Sequence, residues 1–231
     1  MRLHRFFVEE KLEGKKEIHI SDADLLHQWR SVFRFRVGDK IILLDNSGYE
    51  CEAEFVTLGR EGAALALQGE RRQSKNISTR EITLYQALPK KDVFETILRM
   101  GTETGVSHFV PVIAERSEKK GLNVPRAQKI IREAAEQSER GTLPTLSEPV
   151  SLPSVLEGIN PSLAIVFDPS GISIHNSKFI IHNSVLIGPE GGWSPRELQL
   201  FRDKEIPICS LGSQILRCDT AAVAIVSRLL L

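Results

Sequence analysis

The sequence predicts a two-domain α/β protein: a small N-terminal β-barrel, then a larger domain built on a mostly parallel sheet. Three observations carry this. Residues 1–70 hold many short strand-like runs and a single helical stripe, the pattern of a small barrel. Beyond residue 79, strands alternate with helices, which calls for a parallel sheet with helices packed on it. Two runs there, 163–167 and 185–187, are continuously apolar, as in strands covered on both faces.

In the first domain, Arg2–Val8 and Glu17–Ile20 are short strand candidates. Ser21 is a candidate N-cap for a helix whose apolar stripe is Leu25, Leu26, Trp29 and Val32. Gly38-Asp39 turns into the strand Lys40–Leu44, and Asn46-Ser47-Gly48 is a hairpin signal into Tyr49–Leu58. Gly59–Gly62 turns again into Ala63–Leu67. Residues 71–78, polar and without periodicity, read as the linker.

The second domain, 79–231, begins with a strand at Ile82–Leu88 and a helix at Asp92–Thr104, whose inner face is Val93, Phe94, Ile97, Leu98 and Gly101. Phe109–Ile113 is the next strand. Pro125 suits the first turn of a helix striped by Ile130, Ile131, Ala134 and Ala135. A connection rich in proline (Pro144, Pro149, Pro153) leads to the two apolar strands. The last helix, from Asp219 or Thr220, is apolar nearly all round, which calls for cover on both sides and hence a subunit interface.

Whole-chain numbers exclude several classes. The 231 residues carry 30 basic and 30 acidic side chains, so any nucleic-acid contact must come from a local patch. Cys51, Cys209 and Cys218 form no CxxC pair, and the six histidines have no ligand spacing, so neither a disulfide framework nor a metal site is expected. The N-terminus lacks a signal-peptide core, and no apolar run approaches the roughly 20 residues of a membrane span. A cytoplasmic protein is the expectation.

Two loops carry the chemistry. Ile187-Gly188-Pro189-Glu190-Gly191-Gly192-Trp193 and Leu211-Gly212-Ser213-Gln214-Ile215-Leu216-Arg217 each follow a buried strand and lead into a helix. Such paired loops bring bare backbone close to one small ligand. Ser194-Pro195-Arg196-Glu197 has the form of a capping box. A helix N-terminus welcomes phosphate, yet Glu190 favours a neutral or cationic ligand. From glycine content alone, a plain tight turn with a helix cap reads equally well.

These residues, with Asp219-Thr220-Ala221, resemble the RsmE family of SPOUT methyltransferases. The likeness extends to Trp29–Ile41, Lys90–Val106, Pro111, Glu115-Arg116-Ser117, and Ala134–Ser138 with Arg140 and Pro144. Such a resemblance implies an N-terminal PUA-like barrel and a SPOUT domain with a deep trefoil knot, an exception to the rule against threading. It implies a homodimer that uses S-adenosyl-L-methionine to methylate ring nitrogen N3 of a uridine in small-subunit ribosomal RNA. By resemblance the cofactor is held near Phe167, Ile187, Gly188, Pro189, Glu190, Gly191, Gly192, Leu211, Gly212, Ile215, Leu216, Arg217, Thr220 and Ala221. The sequence departs from the family pattern at Gln214 (arginine in many members), Asp219 (glutamate), Thr104 (leucine) and Ala127 (tryptophan).

For catalysis, Arg217 is the first candidate for a cation facing the uracil, with Glu136 and Asp219 as proton acceptors or as groups orienting Arg217. Arg2, Arg5, Arg30, Arg34 and Arg36 are candidates for a basic RNA-binding strip, with Phe33 or Phe35 for stacking. Two other readings stay open: a SPOUT methyltransferase for another nucleotide, and a non-catalytic ribosome-assembly module that binds RNA. A Rossmann enzyme is disfavoured, because no GxGxxG follows the first strand of the second half.

Overall fold

The computed structural model describes residues 3–74, 80–118, 121–174 and 182–230. They form two compact units: Met1–Ile77 with Ala135–Leu143, and Ser78–Ala134 with Pro144–Leu231.

The first unit is a five-stranded sheet of β1 (Arg5–Phe7), β2 (Glu17–Ile20), β3 (Lys40–Leu44), β4 (Tyr49–Leu58) and β5 (Ala63–Gln73), in the order β1-β3-β4-β5-β2. Only β1 and β3 run parallel. Among the described residues no ladder joins the edges β1 and β2, so the barrel is open. Helix α1 (Ala23–His27) and the π-helical turn Gln28–Val32 contribute Leu25, Leu26 and Trp29 to a core shared with Phe6, Ile18, Leu43, Phe55 and Leu65. Asp22, rather than Ser21, caps α1: its carboxylate accepts the N–H groups of Asp24 and Leu25. The helical stripe fails at Val32, which is exposed, because the π-turn shifts the facing of residues after Trp29. Arg71, Arg72 and Gln73, expected in the linker, end β5: polar side chains suit its edge, where Arg72 reaches Glu50 and Arg71 covers the Tyr49 ring. Residues 75–78 lie outside the described set.

Ala135–Leu143, which starts in the last turn of α3 (Val124–Gln137), completes this unit. Ala135 packs with Phe7, Ile42 and Leu44 in a buried cluster.

The second unit holds a sheet ordered β12-β10-β11-β6-β7-β8, with β9 also on β7. Its strands are β6 (Thr83–Ala87), β7 (His108–Ile113), β8 (Thr145–Leu146), β9 (Val150–Ser151), β10 (Ala164–Ser173), β11 (Ser184–Ile187) and β12 (Ile208–Ser210). All the pairings are parallel. The continuous apolar runs are buried at Ile165, Val166, Val185 and Leu186, as strands covered on both faces must be. Helix α2 (Lys91–Thr104) turns Phe94, Ile97, Leu98 and Gly101 inward and ends at Gly105, whose φ of 110° closes the helix in the left-handed region. Helix α4 (Leu152–Gly158) arises within the proline-rich connection, where Ser151 caps it and Pro153 sits in its first turn. Helices α5 (Pro195–Asp203) and α6 (Cys218–Leu230) follow β11 and β12. On α6, Ala222, Ile225 and Val226 are buried, whereas Thr220, Ala224 and Arg228 are exposed.

Candidate active site

Strands β12, β10 and β11 are neighbours and parallel, so their carboxyl ends fall along one edge of the sheet. Loops from that edge enclose a cleft of about 530 Å³, within the range of small-molecule sites. Beta-10 supplies Phe167 and Asp168, the loop after β11 supplies Gly188 to Glu190, and the loop after β12 supplies Leu211, Gly212 and Gln214 to Arg217.

Several bonds fix the first loop. The capping box predicted at α5 is present: Ser194 Oγ accepts the Glu197 N–H, and the Glu197 carboxylate accepts the Ser194 N–H at 2.8 Å. Its other oxygen accepts the Glu115 N–H. The first turn of α5 thus holds its own buried carboxylate, which fills the position a phosphate would want. Trp193 donates from Nε1 to the Phe167 carbonyl at 3.2 Å, tying the loop to the end of β10. Glu190 accepts the N–H of Lys90, just before α2.

Around the cleft stand the carboxylates Asp168, Glu190 and Asp219, against the cations Lys90 and Arg217. Arg217 is itself paired: Nε and Nη2 reach the two Asp219 oxygens at 3.3 and 3.2 Å. Apolar walls come from Phe167, Ile187, Leu211 and Ala221. Acidic groups beside apolar walls and glycine backbone form a fitting environment for a cationic nucleoside. Cys209 and Cys218 line the same cleft. Burial pushes the Cys209 thiol up to about 11, and burial with the Glu190 and Asp219 carboxylates pushes Cys218 up to about 12.

Of the residues named from sequence, Phe167, Ile187, Gly188, Pro189, Glu190, Gly192, Leu211, Gly212, Ile215, Leu216, Arg217, Asp219 and Ala221 line the cleft. Gly191 and Thr220 do not: Gly191 backs onto Arg116, and Thr220 is exposed with its N–H on Asp219. Glu136 belongs to the first unit, where its carboxylate accepts the Phe7 N–H at 3.0 Å. Arg5 is largely buried, bonded to Glu139 at 2.8 Å and within 3.4 Å of Glu50. Arg34 and Arg36 are exposed and Arg30 half-buried. Arg2 lies outside the described residues. Phe33 and Phe35, both partly buried, stack on each other at 5.4 Å and pack against the first unit's core.

Asp168, Pro169, Cys209 and Ser210 line the cleft without a site reading from the sequence, whereas Trp193 and Cys218 stood within its named segments and Lys90 and Val93 within a family-like stretch. Asp168 was findable, as the first acid after a buried apolar strand. Among the described residues no cluster of three metal-ligating side chains occurs, and no helix is long and apolar enough to cross a membrane.

A parallel sheet with this cleft at its carboxyl edge is the frame of a nucleoside-binding transferase domain, and a family model described as an RNA methyltransferase domain matches residues 76–230. The ribosomal RNA small subunit methyltransferase E of Synechocystis is 34% identical, over 85% of this chain and 67% of that relative. The Rickettsia conorii protein of the same name is 27% identical over 99% of this chain and 95% of its own length. A crystal structure of a ribosomal RNA small subunit methyltransferase E from Neisseria gonorrhoeae, bound to S-adenosyl methionine, superposes with a TM-score of 0.90 at 25% identity, covering 98% of this chain and 96% of that one. The chain belongs to the ribosomal RNA small subunit methyltransferase E family.

Proposed function

We propose that this protein transfers a methyl group from S-adenosylmethionine to ring nitrogen N3 of a uridine in small-subunit ribosomal RNA, as a cytoplasmic homodimer. The observation that carries the reading is the cleft where both glycine loops meet the ends of β10, β11 and β12, in a chain of this family. When bound there, S-adenosylmethionine supplies an electrophilic methyl group on a sulfonium. The chain's own residues must then orient the base and remove its proton.

The uridine imide N–H is a weak acid, and its nitrogen attacks only as the proton leaves. A cation at the uracil carbonyl oxygens favours the anion. Arg217 is assigned that role: it lines the cleft and its side chain is 74% exposed. Asp219 orients it through the paired contacts described above, and its carboxylate is assigned the proton that leaves N3 as the new N–C bond forms and the S–C bond breaks. Asp168 and Glu190 are assigned to the positive charge of the cofactor. Arg30, Arg34 and Arg36 are assigned to RNA phosphates, and added salt should weaken their contribution.

Dimerisation is supported by apolar side chains left uncovered beside the cleft, Ile215 at 86% and Leu216 at 38% exposure. The deep trefoil knot belongs to the same reading, supported by family membership.

Calorimetry with S-adenosylmethionine, followed by mass-spectrometric mapping of RNA methylated by the purified protein, tests the reading. Binding and a 3-methyluridine product are expected. No affinity for the cofactor, or a methyl group on another nucleotide, would overturn it.

A further inference from the structure

Loops that hold ligands by backbone need their unused peptide groups occupied, since every buried N–H and C=O must find a partner. In the loop from Ile187 to Trp193 the carbonyls of Ile187, Gly188, Pro189, Gly191 and Trp193 are taken up by groups of the protein. The Pro189 carbonyl accepts the Gly192 N–H at 2.9 Å. The Gln86 amide nitrogen lies 3.4 Å from the Ile187 carbonyl and 3.2 Å from that of Gly188, and bonds the Ala87 carbonyl at 3.0 Å. From outside, Arg116 Nη1 donates to the Gly191 carbonyl at 2.9 Å and reaches the Trp193 carbonyl at 3.4 Å. By contrast, no bond among the described residues uses the N–H of Gly188, Glu190, Gly191 or Trp193.

We infer that Gln86 and Arg116 are positioning residues for the cofactor: they hold the loop's carbonyls from inside and outside, leaving the N–H groups of the cleft-lining Gly188, Glu190 and Trp193 as the polar surface offered to the ligand. Neither side chain lines the cleft, and both act through the backbone they hold. Gln86 is 1% exposed and sits on β6 beside β11, so it reaches the loop from within the sheet. Its orientation is fixed by chemistry. Three carbonyls surround the nitrogen, so a second oxygen there would face only acceptors. The amide oxygen, buried without a partner, is the cost of that arrangement. Arg116 is exposed and its guanidinium is planar, which lets one Nη1 serve two carbonyls of a tight turn.

This inference rests on the methyl-transfer reading, and one experiment separates the two. The full chain and its Arg116→Ala, Arg116→Lys and Gln86→Glu variants are titrated calorimetrically with S-adenosylmethionine and assayed for methylation. Arg116→Ala, an exposed change that spares the fold, should weaken cofactor binding about tenfold, the loss of one charged hydrogen bond. Arg116→Lys should recover part of that, and Gln86→Glu should weaken binding further. The KM for cofactor should rise while kcat at saturating cofactor stays within about twofold. Arg116→Ala binding within about twofold of the unaltered chain would overturn the inference, as would a fall in kcat at unchanged cofactor KM. An unaltered chain that does not bind S-adenosylmethionine would instead sink the reading beneath it.

Discussion

Gly171 on β10 lies directly against the backbone of Cys209 on β12: a Cβ at position 171 would sit 2.6 Å from the Cys209 nitrogen. The register of the two strands shifts between Phe167 and Ile172, so the chain passes Cys209 twice at close range.

Replacing Gly171 by alanine therefore forces two main-chain segments apart. The φ of Gly171 lies outside the left-handed region, so the effect is purely steric. Overpacking of this kind costs about 3 kcal/mol. Thermal denaturation should show a midpoint lower by several degrees, and cofactor affinity should fall with it, because Cys209 lines the cleft. A midpoint within one degree of the original would refute the crossing as described.

Arg217→Ala should reduce single-turnover methylation about 100-fold or more, the usual loss for one group stabilising developing charge. Cofactor affinity should change by less than about threefold. Asp219→Asn keeps the shape but removes the charge that holds Arg217, and should slow the same step about tenfold. Unchanged turnover in Arg217→Ala would remove it from the mechanism.

Acid should destabilise the first unit through Asp45. Burial alone would raise its carboxyl, but bonds from the Ser47 hydroxyl and the Leu12 and Ser47 N–H groups, with the charge of Lys11, hold it below the ordinary 3.8. The folded state thus binds its proton less readily than the unfolded chain. The stabilisation is complete well above pH 3.8 and is lost as pH falls through that value toward the folded pKa. Urea midpoints measured from pH 7 down to pH 3 should fall steeply at the acid end. In Asp45→Asn the protein should be weaker at pH 7 and its acid slope shallower.

Thiol reagents should barely touch the cleft. With Cys209 near 11 and Cys218 near 12, the thiolate fraction at pH 7.5 is a small fraction of that of a free cysteine. Iodoacetamide should modify the two at least about 100-fold more slowly in the native protein than in urea. Comparable rates in the two states would show that the cleft opens to solvent.

Much of this was legible in the sequence. The strands at Glu17–Ile20, Lys40–Leu44 and Tyr49–Leu58, and the capping box at Ser194, carry strong local signals, and the structure keeps those bounds. The cleft was legible because its glycine loops are contiguous in the chain. The contacts that the sequence did not reveal share a physical cause. Glu136 and Arg5 are surface-type residues whose partners lie far off in sequence: Glu136 meets Phe7, and Arg5 meets Glu50 and Glu139. No spacing rule reveals such pairings. The carbonyl contacts of Gln86 and Arg116 were hidden for the same reason, since each reaches carbonyls some 75 to 102 positions away, although Arg116 itself stood within a family-like motif.

The assignment of Ala135–Leu143 to the first unit has a consequence for biosynthesis. A ribosome adds roughly 5–20 residues per second. For several seconds, then, Phe7, Ile42 and Leu44 have emerged while Ala135 is still being made. Over that interval the nascent barrel presents a greasy seam to its surroundings, and a chaperone that recognises such seams would find it there. Any fragment cut at residue 77 keeps the seam for good, and should aggregate where the whole chain does not.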